Sequence, residues 1–400
     1  MDKAVLKCGL LGKKLGHSFS PMIHKKLGDY EYSLFEKEED EIENFIKNGD
    51  FDGINVTIPY KRTVIPYLDE ISDVAKKAGS VNTIVRRSDN SLYGDNTDVY
   101  GFMAMVRHAD IDVAGAKVLI LGSGGASGAV KTALEEMKAT PVIISRSGEN
   151  NYDNLYLHRD AKVIVNTTPL GMYPGNGEAA VDLSDFPNCC GVLDLIYNPL
   201  RTKLILQAEK LGIRYSNGLY MLVSQAVRSA ELFLGKYGEK VVFEDDKTDE
   251  IYSELTKKLT NLVLIGMPGS GKSFMARKLS KENGMEIIDT DEEITVRYKR
   301  TPEEIINEDG ENSFRKLETE VLKDVTKKNG VIISTGGGVV TREENYDLLH
   351  QNGKIIWIKR DLSKLSTKGR PLSQRDGIEK LYSQREPLYR KFADCEMDNP

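Results

Sequence analysis

NLVLIGMPGSGKS, residues 261–273, decides the architecture of the C-terminal third of this chain. The aliphatic run LVLI passes into GMPGSGKS, which fills every fixed position of GxxxxGK[ST], and FMARKLSKE behind it has helical composition. A strand, a phosphate-binding loop and a helix are therefore expected in that order. Gly269, Ser270 and Gly271 let successive backbone N–H groups curl around phosphate oxygens, and the helix N-terminus adds partial positive charge. Lys272 would then reach the outer phosphates and Ser273 would ligate Mg2+. Working toward the N-terminus, KVLILGSGGAS (117–127) before AVKTALEEM repeats the theme as a glycine turn in a βαβ unit, with Gly122, Ser123, Gly124, Gly125 and Ala126 at the turn. The full GxGxxG is not met, because Ser127 holds the third glycine place. The next strand, PVIIS, ends at Ser145, Arg146 and Ser147 with no acid for a ribose hydroxyl, and an arginine there favours a 2′-phosphate, hence NADP(H) over NAD.

Four hundred residues suit two or three domains, and 40% hydrophobic and 29% charged residues with 35 glycines and 13 prolines describe a folded, soluble protein. A formal charge of −6 with no long basic run argues against a nucleic-acid polymer as partner. Cys8, Cys189, Cys190 and Cys395 have no CxxC spacing, so a reducing compartment without structural zinc is expected. No apolar run approaches the ~18 residues that span a bilayer, which points to a cytoplasmic protein without a membrane partner. Short aliphatic runs (VLKCGLL, INVTI, KVLILG, PVIIS, KVIVN, VLDLI, NLVLIG, GVIIS, KIIWI) alternate with helix-like stretches and read as buried parallel strands of an α/β protein. DVYGFMAMVRHADIDVAG before Lys117 reads as helical, and the acidic GEKVVFEDDKTDE followed by the helix-like IYSELTKKL makes the best boundary. The residues alone give a first unit of about 250 residues, with an inner boundary near residue 100 ahead of a nucleotide-binding subdomain, and a second of about 140; the family resemblances that follow imply an α/β substrate domain at 1–100 with 219–245 returning to it, a Rossmann NADP domain at 101–218, a linker at 246–260, and a P-loop kinase-type parallel α/β domain at 261–400.

A P-loop alone does not name the acceptor. Behind it stand DTD (Asp289, Asp291), EEIINEDGENSFRKLE with Arg315 and Glu318, STGGG ending at Gly338, GRPL with Arg370, and QREPLY with Arg385. This ordered set, from 261 to about 394, resembles shikimate kinase. The resemblance implies MgATP as phosphoryl donor, Asp291 at the shikimate hydroxyls near the transferring proton, Arg315 and Arg385 on its carboxylate, Gly337 against the ring, and Arg370 in a lid over the nucleotide phosphates. That family carries a final strand and helix beyond REPLY that help to hold the adenine, whereas here the sequence runs only to Pro400, and the stretch from Trp357 to Arg385 looks short. An abbreviated adenine side is expected.

Upstream, GHSFSP (16–21), NVTIPYK (55–61), GSVNT (79–83) and GDNTDVYGF (94–102), with NTTPLGM (166–172), DLIYNPLRTKL (194–204) and NGLYMLVSQA (217–226) downstream, resemble shikimate dehydrogenase from residue 5 to about 245. The resemblance implies that Ser18, Ser20, Thr57, Asn82, Asp98, Tyr197 and Gln225 bind a shikimate-like ring, with Lys61 and Asp98 as the catalytic pair. On the kinase side it adds Lys272 and Asp291 to the catalytic set. Gly122 to Ala126 would approach the pyrophosphate, Arg146 the 2′-phosphate and Gly218 the nicotinamide side, while His17 and His24 would be structural. Small molecules are the expected partners: 3-dehydroshikimate, shikimate and ATP. Rival readings make the C-terminal unit a binding module without turnover, or make quinate the dehydrogenase substrate; Ser18 and the kinase-like partner favour shikimate.

Overall fold

The computed structural model describes residues 5–16, 18–244, 246–365, 374 and 377–399. The chain divides into two compact units, Met1–Tyr197 with Gln207–Glu254, and Asn198–Leu206 with Leu255–Pro400. The segment 246–260 contains a helix, Lys247–Leu259. All four cysteines carry free thiols, and among the described residues no helix is long and apolar enough to cross a membrane.

The first unit holds two sheets. One contains β1 (Leu6–Gly12), β2 (Tyr30–Glu36), β3 (Gly53–Val56), β4 (Glu70–Ile71), β5 (Thr83–Arg86) and β6 (Leu92–Asp95) in the order β2-β1-β3-β5-β6-β4. It is mixed, because β3 and β5 run antiparallel, as do β5 and β6. The expectation of parallel strands holds for β1 with β2 and β3 and misses the β5–β6 hairpin. That hairpin closes where Arg87 N donates to Ser91 O at 2.9 Å and Asn90 adopts φ +67°, a conformation asparagine tolerates. The second sheet is parallel throughout: β7 (Lys117–Leu121), β8 (Thr140–Ile144), β9 (Val163–Asn166), β10 (Gly191–Asp194) and β11 (Arg214–Ser216), in the order β11-β10-β9-β7-β8. Val118, Ile120, Val163 and Val165 bury one face of it against Val130 and Ala133 of the Ser127–Glu136 helix and Phe102 and Val106 of the Thr97–His108 helix. The latter stops earlier than its composition suggests, since Asp110 turns to φ +50° and 111–116 leads as loop into β7.

The second unit is a five-stranded parallel sheet of β12 (Asn261–Ile265), β13 (Glu286–Asp289), β14 (Val331–Ser334), β15 (Gly353–Lys359) and β16 (Cys395–Asp398), ordered β13-β14-β12-β15-β16. One face carries Val263, Ile333, Ile355 and Trp357 against Phe314 and Tyr389; the other carries Leu264, Ile332 and Ile358 against Met275 and Ala276. Apolar residues on both faces of each central strand explain the continuous aliphatic runs. The expected abbreviation is corrected in part: the residues after Asp394 do form a strand, paired in register with Ile356–Lys359.

The helices Thr97–His108 and Leu219–Leu234 cross at Gly101, where a Cβ would lie 2.7 Å from Met221 O and 3.0 Å from Gln225 Cβ. Helix propensity favours alanine over glycine by about 1 kcal/mol, but backbone cannot give way and overpacking costs about 1–3 kcal/mol. The clash wins. Gly101→Ala is expected to lower stability in urea unfolding, against the sign of its propensity.

Candidate functional site

Two groups of side chains gather at strand ends. In the first unit, Lys61 follows the turn after β3, Asn82 precedes β5, and Asp98 stands in the first turn of the Thr97–His108 helix. The structure brings them together: Lys61 Nζ lies 2.5 Å from Asp98 Oδ2, and Asn82 Nδ2 donates to Asp98 Oδ1 at 2.9 Å. Both members of the ion pair are mostly buried, with side-chain exposures of 16% and 10%, so desolvation strengthens their attraction and holds one geometry. Thr97 Oγ1 reaches Gln225 Oε1 at 3.4 Å, which places the glutamine of the Leu219–Leu234 helix beside the pair. Ser18 Oγ accepts from Ser20 N at 3.2 Å, and the Tyr197 ring stands 5.6 Å from that of Phe19, the residue between these serines. Burial raises the Tyr197 phenol above its ordinary range, so it is a neutral donor. Thr57 is half-buried at the end of β3. His24 is fully buried, stacked on Tyr32 at 4.0 Å, and pushed down to about 3 by burial, hence neutral and structural. His17 lies outside the described residues.

At the carboxyl edge of the parallel sheet, Gly122 follows β7 with φ +106°, and a Cβ there would meet Thr168 Cγ2 at 2.8 Å and Thr167 Oγ1 at 3.0 Å. Only glycine fits under that threonine loop. Ser123, Gly124 and Gly125 are exposed, and the space beside Gly124 and Gly125 is open. Ala126 caps the Ser127–Glu136 helix, whose amino end faces this turn. Arg146 is exposed just past β8, which pairs with β7 in register Leu121↔Ile144. An open glycine cradle at a helix N-terminus, with an arginine on the adjacent strand end, fits a dinucleotide carrying a 2′-phosphate. Gly218 opens the Leu219–Leu234 helix so close to the end of β10 that a Cβ would lie 2.0 Å from Leu195 O.

In the second unit the loop after β12 takes positive φ at Gly266, Gly269 and Gly271. Lys272 Nζ donates to Gly266 O and Met267 O at 2.9 and 3.1 Å, and Ser273 Oγ donates to Asp289 Oδ2 at 3.2 Å. Hydroxyl and carboxylate oxygens side by side are a donor set that suits Mg2+. Asp289 also caps the next helix by accepting from Asp291 N at 3.0 Å. Ser270 is buried, and its carbonyl accepts from Asn399 Nδ2 at 2.8 Å. A cavity of about 450 Å³ is lined by the loop glycines, Lys272, Asp291, Arg315, Gly337 and Arg385. Arg315 donates to Glu318 Oε2 at 2.8 Å and Arg385 to Gly337 O at 3.2 Å, and both guanidinium groups lie within 4 Å of Glu311 Oε1. Two buried arginines bearing on one carboxylate show what the cavity can accept. Asp291 Oδ1 and Glu318 Oε1 are buried without partners, and both converge on Gly336, where a Cβ would sit 3.2 and 2.4 Å from them. Burial, with Glu318 and Asp289 adding like charge, pushes the Asp291 carboxyl up to about 6.

Arg370 lies outside the described residues. Sequence reasoning passed over Glu318, Glu311, Asp289 and Asn399 as site residues. The first three could have been found in quoted motifs: Arg315 and Glu318 are three apart on one helix, and DTD offers two carboxylates. Asn399 had no such signal, because only strand pairing carries it to the loop.

Two family models match the chain: shikimate kinase at residues 268–400, and the shikimate dehydrogenase substrate binding domain at residues 10–84. The shikimate dehydrogenase (NADP(+)) of Clostridium perfringens (strain SM101 / Type A) is 38% identical over 270 residues, 62% of this chain and 97% of that protein. Among solved structures, a chorismate mutase/shikimate 5-dehydrogenase fusion protein from Clostridium acetobutylicum is 36% identical with TM-score 0.59, covering 63% of this chain and 98% of that one. Shikimate 5-dehydrogenase from Thermus thermophilus in complex with NADP(H) and shikimate is 26% identical with TM-score 0.57, over 62% and 99%.

With its folded value near 6 against an ordinary 3.8, Asp291 keeps a proton that the unfolded chain has already lost, so its contribution to stability falls as pH rises from about 4 to about 6. Asp291→Asn should remove that slope from pH-dependent unfolding curves. Glu318→Gln, which deletes a neighbouring charge, should move its midpoint down.

Proposed function

Since the chain belongs to the shikimate dehydrogenase family and carries a shikimate kinase domain behind it, we propose that it catalyses consecutive reactions in the cytoplasm: NADPH-dependent reduction of 3-dehydroshikimate to shikimate, then phosphorylation of the 3-hydroxyl with MgATP. The observation that carries this reading is the presence, in one chain, of the Lys61–Asp98 pair and of a cavity holding a P-loop lysine, a raised carboxyl and two buried arginines.

NADPH, when bound, supplies hydride to the ketone carbon. As the carbon accepts it, charge develops on the ketone oxygen; Lys61 stabilises that charge and delivers the proton, while Asp98 holds the ammonium in place. Asn82 fixes Asp98, and Ser18, Ser20, Thr57, Tyr197 and Gln225 hold the ring hydroxyls and carboxylate. Gly122, Ser123, Gly124, Gly125 and Ala126 take the pyrophosphate, Arg146 the 2′-phosphate, and Gly218 lets the nicotinamide approach the backbone. In the kinase unit, Arg315 and Arg385 fork the shikimate carboxylate, Gly337 faces the ring, and Asp291 accepts the hydroxyl proton, for which a value of about 6 is well matched near neutral pH. Gly269, Ser270 and Gly271 cradle the ATP phosphates; Lys272 and Arg370 offset charge on the transferring group, and Ser273 with Asp289 holds Mg2+. Asn399, which follows β16, braces the P-loop at Ser270 and so supports nucleotide binding by this unit.

Mass spectrometry of products after mixing the chain with 3-dehydroshikimate and NADPH should show shikimate, and with MgATP added, shikimate 3-phosphate. Lys61→Ala is expected to slow the reduction by about 10² to 10⁴. Lys272→Ala should abolish the phosphate product and spare the reduction; shikimate as the sole product of the parent chain with MgATP would overturn the kinase reading. In steady-state kinetics, Arg146→Ala should raise KM for NADP with little change in KM for NAD.

A further inference from the structure

Ser229 is completely buried in the Leu219–Leu234 helix, one turn beyond Gln225, where an apolar residue would be the default. Its hydroxyl has an unusual number of partners. It donates to Gln225 O at 2.8 Å, accepts from Asn55 Nδ2 at 2.8 Å, and lies 2.9 Å from Thr83 Oγ1 and 3.0 Å from Thr97 Oγ1. With its one proton given to the helix carbonyl, Ser229 has two lone pairs for the others, one filled by Asn55 Nδ2 and one shared between the two threonine hydroxyls. Asn55 is fixed from its far side, where Tyr32 donates to its Oδ1 at 2.8 Å.

Thr83 and Thr97 each also touch Asn82: its Oδ1 lies 3.1 Å from Thr83 Oγ1 and 3.2 Å from Thr97 Oγ1, and it accepts from Thr97 N at 2.7 Å. The Asn82 amide nitrogen donates both to Thr97 Oγ1 at 3.0 Å, which leaves the Thr97 proton for Ser229, and to Asp98 Oδ1 at 2.9 Å. A single hydroxyl therefore joins two strands and two helices directly behind the ion pair. We infer that Ser229 is a positioning residue for hydride transfer: it sets the rotamers of Thr83 and Thr97, these orient the Asn82 amide, and Asn82 holds the Asp98 carboxylate against Lys61. This rests on the reading of Lys61 and Asp98 as the reacting pair.

Ser229→Cys fills the same space with a poor acceptor, so it separates hydrogen bonding from packing. Initial rates of shikimate oxidation by the full chain are expected to show kcat about tenfold lower in Ser229→Cys and in Ser229→Ala, because a small misplacement of reacting groups costs at least that much. KM for shikimate should change less than kcat, since Ser18, Thr57 and Tyr197 hold the ring from outside this network. Thr83→Val should also lower kcat, and Ser229→Cys combined with Thr83→Val should be no slower than the slower single variant, because both break one path. Parental kcat in the cysteine variant, or independent multiplication of the two effects, would overturn the inference. The cysteine variant decides if the alanine variant fails to fold. Lys61→Ala, run alongside, keeps the two failures apart: an unchanged rate there would overturn the reading of the pair itself.

Discussion

Parallel strand pairing is the constraint on which the two glycine-loop sites depend. When neighbouring strands run the same way, their carboxyl ends share one edge of the sheet, and the loops leaving that edge must lead into helices that start there. β7 and β8 end side by side at Leu121 and Ile144, so the glycine turn after one and Arg146 after the other leave the same edge of the sheet. β12, β13 and β14 do likewise, with Leu264 opposite Ser334 and Ser334 opposite Asp289. That pairing brings the P-loop, the DTD motif and the glycines of STGGG around one cavity. Oriented helix N-termini and exposed backbone N–H groups come with the arrangement, and both suit phosphate.

Each site handles buried charge in a different way. Lys61 and Asp98 compensate each other, and Asn82 satisfies the second carboxylate oxygen. The kinase cavity is left incomplete. Arg315 is matched by Glu318, yet Glu318 Oε1 and Asp291 Oδ1 remain without partners, and unsatisfied buried oxygens cost about 1–3 kcal/mol each. A group presenting hydroxyl donors to these oxygens would recover that cost. Substitution of either partner in the Arg315–Glu318 pair would instead leave a buried charge uncompensated.

Much of the fold was legible from residues alone. Nine aliphatic runs became strands because burial on both faces leaves a continuous apolar signature. β2, β4, β5, β6, β11 and β16 were missed, the edge strands among them for the converse reason. YEYSLFE and CEMD pair at sheet edges with one neighbour each, so half of their side chains face water and the aliphatic signal fades. The hairpin turn at 86–91 carried an Asp-Asn-Ser cue that composition alone does not weigh against a strand list. Helix Thr97–His108 was overextended: the chain leaves the helix at Asp110, where φ is +50°, ahead of the weak helix formers Ile111, Asp112, Val113 and Gly115.

By itself the sequence determined which groups are available: glycine turns behind aliphatic strands, Lys61 and Asp98 within recognisable motifs, Arg315 and Arg385 behind the P-loop, and Arg146 past the second strand of the βαβ unit. These features depend on local backbone geometry and residue type, which neighbours in the chain dictate. Tertiary structure alone decided which groups meet. Ser229 on Thr83 behind the ion pair and Asn399 on the P-loop at Ser270 are joined across 146 and 129 positions respectively, and Glu318 meets Asp291 at Gly336 from a different helix. No periodicity encodes such distances, because they follow from how strands pair and helices cross after the apolar faces have been buried.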